Sequence, residues 1–405
     1  MKSENIRLFP NMLPGLFQAV NEVLSSSTAP AIVLKSCFKH HPNWGSRDRK
    51  LVGQLFYDWI RWWRLYQYCC KGSLENPVKD PLLLVKAWSV HKDLNLPSWI
   101  SITEEEKDFI HQRLMDAQEK RVLQYSIPDW LDELGSAEYS TDVWEEQLNA
   151  LNQTARLVLR VNLERSQPEK LADYLEKEFQ TAVTILNQEA LAISKHIKIE
   201  NTEAYRKGWF EIQDFNSQQV AHWLAPKVGE TILDACAGAG GKTLHLAQLM
   251  QNTGQIIAED LFPNKLKELQ KRAKRNGVRI IDTQPSNKKK NADLVFDRIL
   301  IDAPCTGMGV LRRNPGAKWQ MGVKRLQKIT ALQQALLQEN APRVRPKGVL
   351  LYVTCSLLAE ENQKQTQRFL ESPAGQSFQL DQEFSLLPSP SGFDGFYGAR
   401  FIRTV

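Results

Sequence analysis

The sequence predicts an α/β protein: an open, doubly wound, mostly parallel sheet from about residue 206 to the end, preceded by a small α/β unit and an N-terminal helical region. Three observations carry that prediction. Short apolar runs alternate with longer segments of helical period throughout the C-terminal half. A glycine-rich turn, "DACAGAGGKT" at 234–243, separates the first of those runs from the first helical segment. Two cysteines, Cys305 and Cys355, each stand just past an apolar run, where open α/β sheets carry their ligand crevices.

Residues 1–125 are helical in pattern. In "RDRKLVGQLFYDWIRWWRLYQYCCK", Leu51, Leu55, Ile60, Trp63 and Tyr66/Gln67 recur at helical intervals with basic residues between them. That tryptophan-rich stripe could be an aromatic platform for RNA, but its spacing favours a helix face packed in a core. Pro128 and Gly135 punctuate the pattern and mark a boundary, after which 126–205 forms the small α/β unit. Its first strand runs from Leu157 to Asn162, and a helix started by Ser166 follows with Pro168 just inside it. "AVTILNQEALAIS" and "GWFEIQDF" add strand-like material. Beyond 206, "ETILDAC", "GQIIAED", "FDRILIDAPC", "GVLLYVTCS" and "GFYGARFIRT" read as strands. The helices between them are "GGKTLHLAQLMQ", "PNKLKELQKRAKRNG", "KRLQKITALQQALLQENAPRV" and "AEENQKQTQRFLES", and "NKKKN" at 287–291 reads as a solvated loop.

The 405 residues suffice for two or three domains, and 42% hydrophobic with 24% charged residues is ordinary globular composition. A net charge of +6 permits a polyanionic partner without requiring one. The six cysteines, Cys37, Cys69, Cys70, Cys236, Cys305 and Cys355, show no paired framework and no CxxC spacing, so neither a disulfide scaffold nor a metal site is expected. The start lacks a basic-then-apolar signal segment, and no apolar run approaches the ~18–20 residues that span a bilayer. A cytoplasmic protein with reduced thiols and no membrane partner is expected.

Three ligands compete for the glycine-rich turn. A Walker A loop fits at Gly241, Lys242 and Thr243, but its first glycine would fall on Cys236; a GxGxxG fingerprint fits at Gly238 and Gly240, but its third glycine would be Thr243. The third is a nucleoside such as S-adenosylmethionine, which has no pyrophosphate to cradle and takes a ribose-gripping acid after the second strand. Asp260, 22 residues past Gly238, supplies one, in preference to its neighbour Glu259; NAD shares that spacing, which alone does not decide.

A buried lone cysteine is usually a small hydrophobe, which suits Cys37, Cys69, Cys70 and Cys236. Cys305 and Cys355 instead precede polar loops at the ligand edge, where a thiol can be a nucleophile. One reaction uses two thiols beside a methyl donor. Carbon 5 of a pyrimidine is too electron-poor to take a methyl group until a thiolate adds at carbon 6. A base must then remove the carbon-5 proton so that the thiol can leave, and an acid beside the ring can hydrogen-bond it. Asp302, three residues before Cys305, suits that last role. Nothing in the residues themselves chooses which thiol attacks.

With "GWFEIQDFNSQ" (208–218), "DACAGAGGKT" (234–243), "DAPCTGMGVLRRNPGAKW" (302–319), "YVTCSLLAEEN" (352–362) and "DGFYGARF" (394–401), the chain resembles the Sun-type, RsmB-like RNA cytosine-C5 methyltransferases. "SIPDWL" and "ARLVLRVN" resemble that family's lead-in to an RNA-recognition-like domain. The resemblance implies a Rossmann-like class I methyltransferase domain over 206–405, an RNA-recognition-like domain over 126–205 and an N-terminal helical domain over 1–125, comparable to the family's NusB-like extension. It implies Cys355 as the nucleophile, Cys305 as the residue assisting product release, and Asp302 reaching the base. Cys236, Ala237, Gly238, Ala239, Gly240, Gly241, Lys242, Asp260 and Asp302 would line the S-adenosylmethionine site. Ala239 stands where the family usually has proline, and the family's third acidic motif is not evident around Asp282, which stays unassigned.

The implied substrate is RNA, ribosomal RNA by default with transfer RNA open, and the protein is expected to act as a monomer. Arg206, Lys207, Arg312, Arg313 and Lys318 are candidate phosphate contacts. A non-catalytic RNA-binding or ribosome-assembly factor keeping the same fold is the alternative, and the intact Cys305, Cys355 and Asp302 argue against it.

Overall fold

The computed structural model describes residues 6–195, 197–286 and 294–405; the loop expected at 287–291 lies outside them. The chain divides into two compact units, one holding everything up to Asn152 together with Leu311–Arg325, the other Gln153–Val310 and Leu326–Val405. Among the described residues no helix is long and apolar enough to cross a membrane.

The first unit is built from helices, the longest being Leu13–Ser25, Pro30–His40, Ser46–Arg61, Pro81–His91, Glu104–Ala117, Asp129–Glu138 and Thr141–Asn152. Its core is aromatic. Trp59, Tyr66 and Trp88 are fully buried and Trp63 nearly so, so the tryptophan stripe is a packed face. The stripe is not one helix, because the chain breaks at Trp62 and restarts as Trp63–Cys69. The break has a side-chain cause: the Arg64 amide donates to Ser126 Oγ at 3.1 Å. Carbonyls at the end of the first helix are thereby left to find other donors.

The segment 311–325 supplies them. Trp319 Nε1 donates to the Ile60 carbonyl at 2.7 Å and Lys318 Nζ to the Arg61 carbonyl at 2.8 Å. Arg61 donates in turn to the Arg312 carbonyl, Arg312 to the Ala150 carbonyl, and Gln320 to the carbonyls of Val23 and Thr28. Arg312 and Lys318, weighed above as phosphate contacts, are each only 2% exposed, which corrects that reading. Both side chains donate to main-chain carbonyls of this unit. Arg206 and Lys207 stay exposed, Lys207 paired with Glu203 at 2.6 Å, and Arg313 is exposed.

The second unit contains two sheets. Strands β1 (Leu157–Val161), β2 (Val183–Ile185), β3 (Ala190–Ile193) and β4 (Phe210–Ile212) form an antiparallel sheet in the order β2-β3-β1-β4. Helix Pro168–Phe179 packs on it through Leu171 and Leu175; its cap is Gln167, one residue after the expected Ser166. The larger sheet comprises β5 (Thr231–Asp234), β6 (Gln255–Asp260), β7 (Ile281–Pro285), β8 (Phe296–Asp302), β9 (Val344–Thr354), β10 (Phe378–Leu386) and β11 (Phe396–Arg403). Its order is β10-β11-β9-β8-β5-β6-β7, with β11 antiparallel to both neighbours and the remaining pairs parallel. The doubly wound, mostly parallel sheet is thus as expected, with β7 and β10 added to the strands read from sequence.

Burial and the neighbouring Arg61 charge hold the Lys318 ammonium well below its ordinary pKa. Between that depressed value and the ~10.4 of a free lysine, the unfolded chain binds more protons than the folded one, so stability rises with pH. Lys318→Met removes both this titration and the donor to the Arg61 carbonyl, so it is expected to flatten that rise and to lower the unfolding free energy at about pH 9.5 by about 1–3 kcal/mol. Denaturant titrations of both proteins at about pH 7 and pH 9.5 measure it.

Candidate active site

The chain reverses its direction of travel across the large sheet at β5, which has β6 on one side and β8 on the other, and ligands of such sheets bind beyond the strand ends at this point. A cavity of about 730 Å³ lies there. Of the residues read from sequence as cofactor-binding, Cys236, Ala237, Gly238, Ala239, Gly241, Lys242, Asp260 and Asp302 line it. Gly240 does not; it packs back towards Leu269.

The turn after β5 is held from behind. Arg160 of β1 donates to the Gly241 carbonyl at 2.8 Å, and Arg272 donates to the Ala239 carbonyl at 2.7 Å while its other nitrogens bind Glu211. The small sheet therefore braces the glycine loop through two guanidinium groups. Gly238 has a φ of +56°, and a side chain there would point into open space, which leaves room for a ligand against the backbone. Asp260 accepts from the amides of Gly238 and Phe262, both at 2.8 Å, so its carboxylate closes the loop at the cavity wall. Glu259 is instead paired with Arg343 at 2.9 Å and with Gln284. Asp282 accepts from Gln255 and is not among the cavity residues.

Asp234, which the sequence reading passed over, is 1% exposed and lines the same cavity. Thr243 Oγ1 donates to its Oδ2 at 2.7 Å, but Oδ1 is buried without a hydrogen-bond partner. Burial, with the Asp302 charge adding to it, pushes the Asp234 carboxyl up to about 7 against the Thr243 hydrogen bond. An acid ending the strand just before a glycine turn was the available signal.

The second half of the site lies past β8 and β9. These strands are parallel neighbours with Asp302 opposite Val353, so the loops after them leave from the same edge. Cys305 and Cys355 consequently meet, with their sulfurs 3.3 Å apart. The hydrogen bond to Cys355, together with burial, holds the Cys305 thiol well above its ordinary pKa, so Cys305 keeps its proton. Lys242 Nζ donates to Asp302 Oδ2 at 2.6 Å. Burial opposes the Lys242 charge, yet Asp302 outweighs it and keeps the ammonium firmly protonated, with Cys355 also within its Coulombic reach. Gly309 lets the two loops close: a Cβ there would lie 2.5 Å from the Gly395 carbonyl and 2.9 Å from that of Cys355, and the Gly309 amide donates to the latter.

Two buried carboxylates complete the surroundings, and neither was singled out from sequence. Glu361 collects hydrogen bonds from both thiol-bearing loops. Glu189 accepts from His222 and His245 at 2.5 and 3.1 Å, fixing the helix Gly241–Leu249 that carries Lys242. These three could in principle ligate an ion. The 2.5 Å contact, however, is that of a hydrogen bond rather than of two ligands around a metal. Cys37, Cys69, Cys70 and Cys236 stand apart from this chemistry, their thiols raised by burial, Cys69 and Cys70 to about 12.

Residues 221–402 match the family model of the 16S rRNA methyltransferase RsmB/F, and residues 127–200 that of the RsmF/B-like ferredoxin-like domain. The ribosomal RNA small subunit methyltransferase B of Erwinia tasmaniensis is 31% identical over 309 residues, covering 74% of this chain and 71% of the relative. Among solved structures, PH0851 superposes with a TM-score of 0.80 at 25% identity, covering 98% of this chain and all of that one. NSun6 from Pyrococcus horikoshii, solved with SFG, shares the fold at a TM-score of 0.62 and 21% identity over 69% of this chain and 98% of its own. With family models matched over 127–200 and 221–402 and a relative 31% identical over most of both chains, this chain belongs to the RsmB/F family of 16S rRNA methyltransferases.

Proposed function

We propose that the protein methylates carbon 5 of a cytosine in ribosomal RNA, with S-adenosylmethionine as donor and a transient bond between Cys355 Sγ and carbon 6 of the ring. The observation that carries this reading is the contact of two thiols, 3.3 Å apart, beside the Asp302–Lys242 pair that borders the cavity. The names of the relatives, which specify small-subunit ribosomal RNA, support the substrate.

The cavity residues fit the donor. The orphaned Asp234 Oδ1 suits the methionine ammonium, the open space over Gly238 admits the ligand against the backbone, and Asp260 can accept from ribose hydroxyls. When bound, the donor supplies an electrophilic methyl group. The protein's part is to make carbon 5 a nucleophile.

Cys355 is the better attacking group. Its partner Cys305 retains a proton and donates towards it, while the Lys242 ammonium favours negative charge at its sulfur. Asp302, oriented by Lys242, is available to hydrogen-bond the base. After methyl transfer, solvent water acting as base takes the carbon-5 proton, the freed electron pair re-forms the C5–C6 double bond and breaks the C6–S bond, and the Cys305 S–H stabilises the departing Cys355 thiolate by a charge-assisted hydrogen bond. Selection of the RNA would rest on shape read by the small sheet and the helical unit, since the net charge is mild.

Denaturing gels of protein incubated with ribosomal RNA and S-adenosylmethionine test the reading. Cys305→Ala is expected to accumulate a slow-migrating covalent RNA adduct, while Cys355→Ala forms none and transfers no methyl group. An adduct in Cys355→Ala alone would reverse the roles, and transfer to transfer RNA alone would change the substrate.

A second expectation concerns pH. Because the Asp234 carboxyl titrates at about 7 and its ionised form pairs with an ammonium, affinity for S-adenosylmethionine rises as pH climbs through that value. Asp234→Asn is expected to flatten this dependence and to weaken binding by about 10–100-fold. Calorimetric titrations on either side of neutrality read both.

A further inference from the structure

Glu361 is fully buried, six residues beyond Cys355. A carboxylate taken out of water is expensive unless its lone pairs are filled, and here four donors fill them. The Thr306 amide donates to Oε1 at 2.8 Å and Gln333 Nε2 to the same oxygen at 3.1 Å; the hydroxyls of Thr306 and Ser356 both donate to Oε2. Thr306 is the residue after Cys305, and Ser356 the residue after Cys355. Gln333, on helix Val323–Asn340, also donates to the carbonyl of Pro304, the residue before Cys305.

One side chain therefore grips both thiol loops at the nearest possible points. The next residue supports it, since Asn362 accepts from Thr354 Oγ1 and donates to the Ser356 carbonyl. The Tyr352 hydroxyl donates to the Glu361 carbonyl, tying this short segment back to β9.

We infer that Glu361 is a positioning residue for methyl transfer, one that fixes the separation of the two thiols through the loops that carry them. It is not among the cavity residues and acts through Thr306 and Ser356. The carboxylate's negative charge also disfavours a second negative charge on Cys305. This inference rests on the assignment of Cys355 as nucleophile made above.

Glu361→Gln keeps the length and removes the charge; Glu361→Asp keeps the charge and shortens the reach. Two readouts on the full-length protein separate the effects. The first is alkylation of Cys305 and Cys355 by iodoacetamide as a function of pH, followed by mass spectrometry. The second is kcat and KM for methyl transfer to ribosomal RNA. In Glu361→Gln the alkylation profile of Cys305 is expected to move to lower pH by at least about half a unit, with kcat falling at least about 10-fold and both KM values within about twofold. In Glu361→Asp kcat falls similarly while the Cys305 profile stays in place.

Wild-type alkylation and kcat in Glu361→Gln overturn the inference. If Glu361→Gln does not fold, as judged by its thermal transition, Ser356→Ala and Thr306→Val replace it; each is expected to lower kcat at unchanged KM, and unchanged kcat in both overturns the inference. The alkylation profiles need no catalysis. Activity retained by Cys355→Ala would therefore remove the assignment of the nucleophile while leaving the Glu361 effect on Cys305 readable.

Discussion

The site depends on one pairing, that of β8 with β9 as parallel neighbours with Asp302 opposite Val353. Parallel strands end on the same edge of a sheet, so two loops separated by 50 residues in sequence emerge side by side. Three residues beyond Asp302 and two beyond Val353, the thiols meet. A slip of one residue would exchange a strand's two faces, and each face is packed in its own core: Ile299, Ile301, Leu350 and Tyr352 in one, Leu300, Leu351 and Val353 in the other. Hydrophobic registration of the sheet therefore also sets the geometry of the chemistry.

Around that edge the structure spends buried charge unusually freely, and each charge is answered. Lys242 meets Asp302, Glu361 meets four donors, Glu189 meets two imidazoles, and Glu211 meets Arg272, Arg275 and Asn276. Saturated polar networks in a low dielectric hold side chains in one arrangement, whatever their net stabilisation. Arg160 and Arg272 extend the same logic to the glycine loop, whose carbonyls at Ala239 and Gly241 they hold. The exception is Asp234, whose unanswered oxygen sits where a ligand would bring a donor.

How much of this could be read in advance follows from the kind of interaction. The strands β5, β6, β8, β9 and β11 announce themselves as apolar runs, and the glycine turn and strand-end cysteines carry local signals. β7 holds Ile281 followed by Asp282, Thr283 and Gln284 and ends on Pro285, which is too polar for a periodicity argument. β10 does alternate at Phe378 and Leu380 and again at Phe384 and Leu386, but the register shift between Leu380 and Gln382 interrupts the pattern. Glu361 and Glu189 were invisible because a buried carboxylate looks like a solvated one until its donors are located. Arg312 and Lys318 misled for the converse reason: basic residues in a loop suggest a surface, and only tertiary structure reveals the helix-end carbonyls they serve.

The helical unit is completed by a segment that the ribosome delivers late. Its first 152 residues leave the exit tunnel without Lys318 and Trp319, so the carbonyls of Ile60 and Arg61 await donors from a stretch starting at Leu311. At ~5–20 residues per second, that wait is on the order of 10–30 s. Throughout it the core lacks the packing of Trp319. The first part of the chain to be made therefore gains some of its contacts only after most of the rest exists.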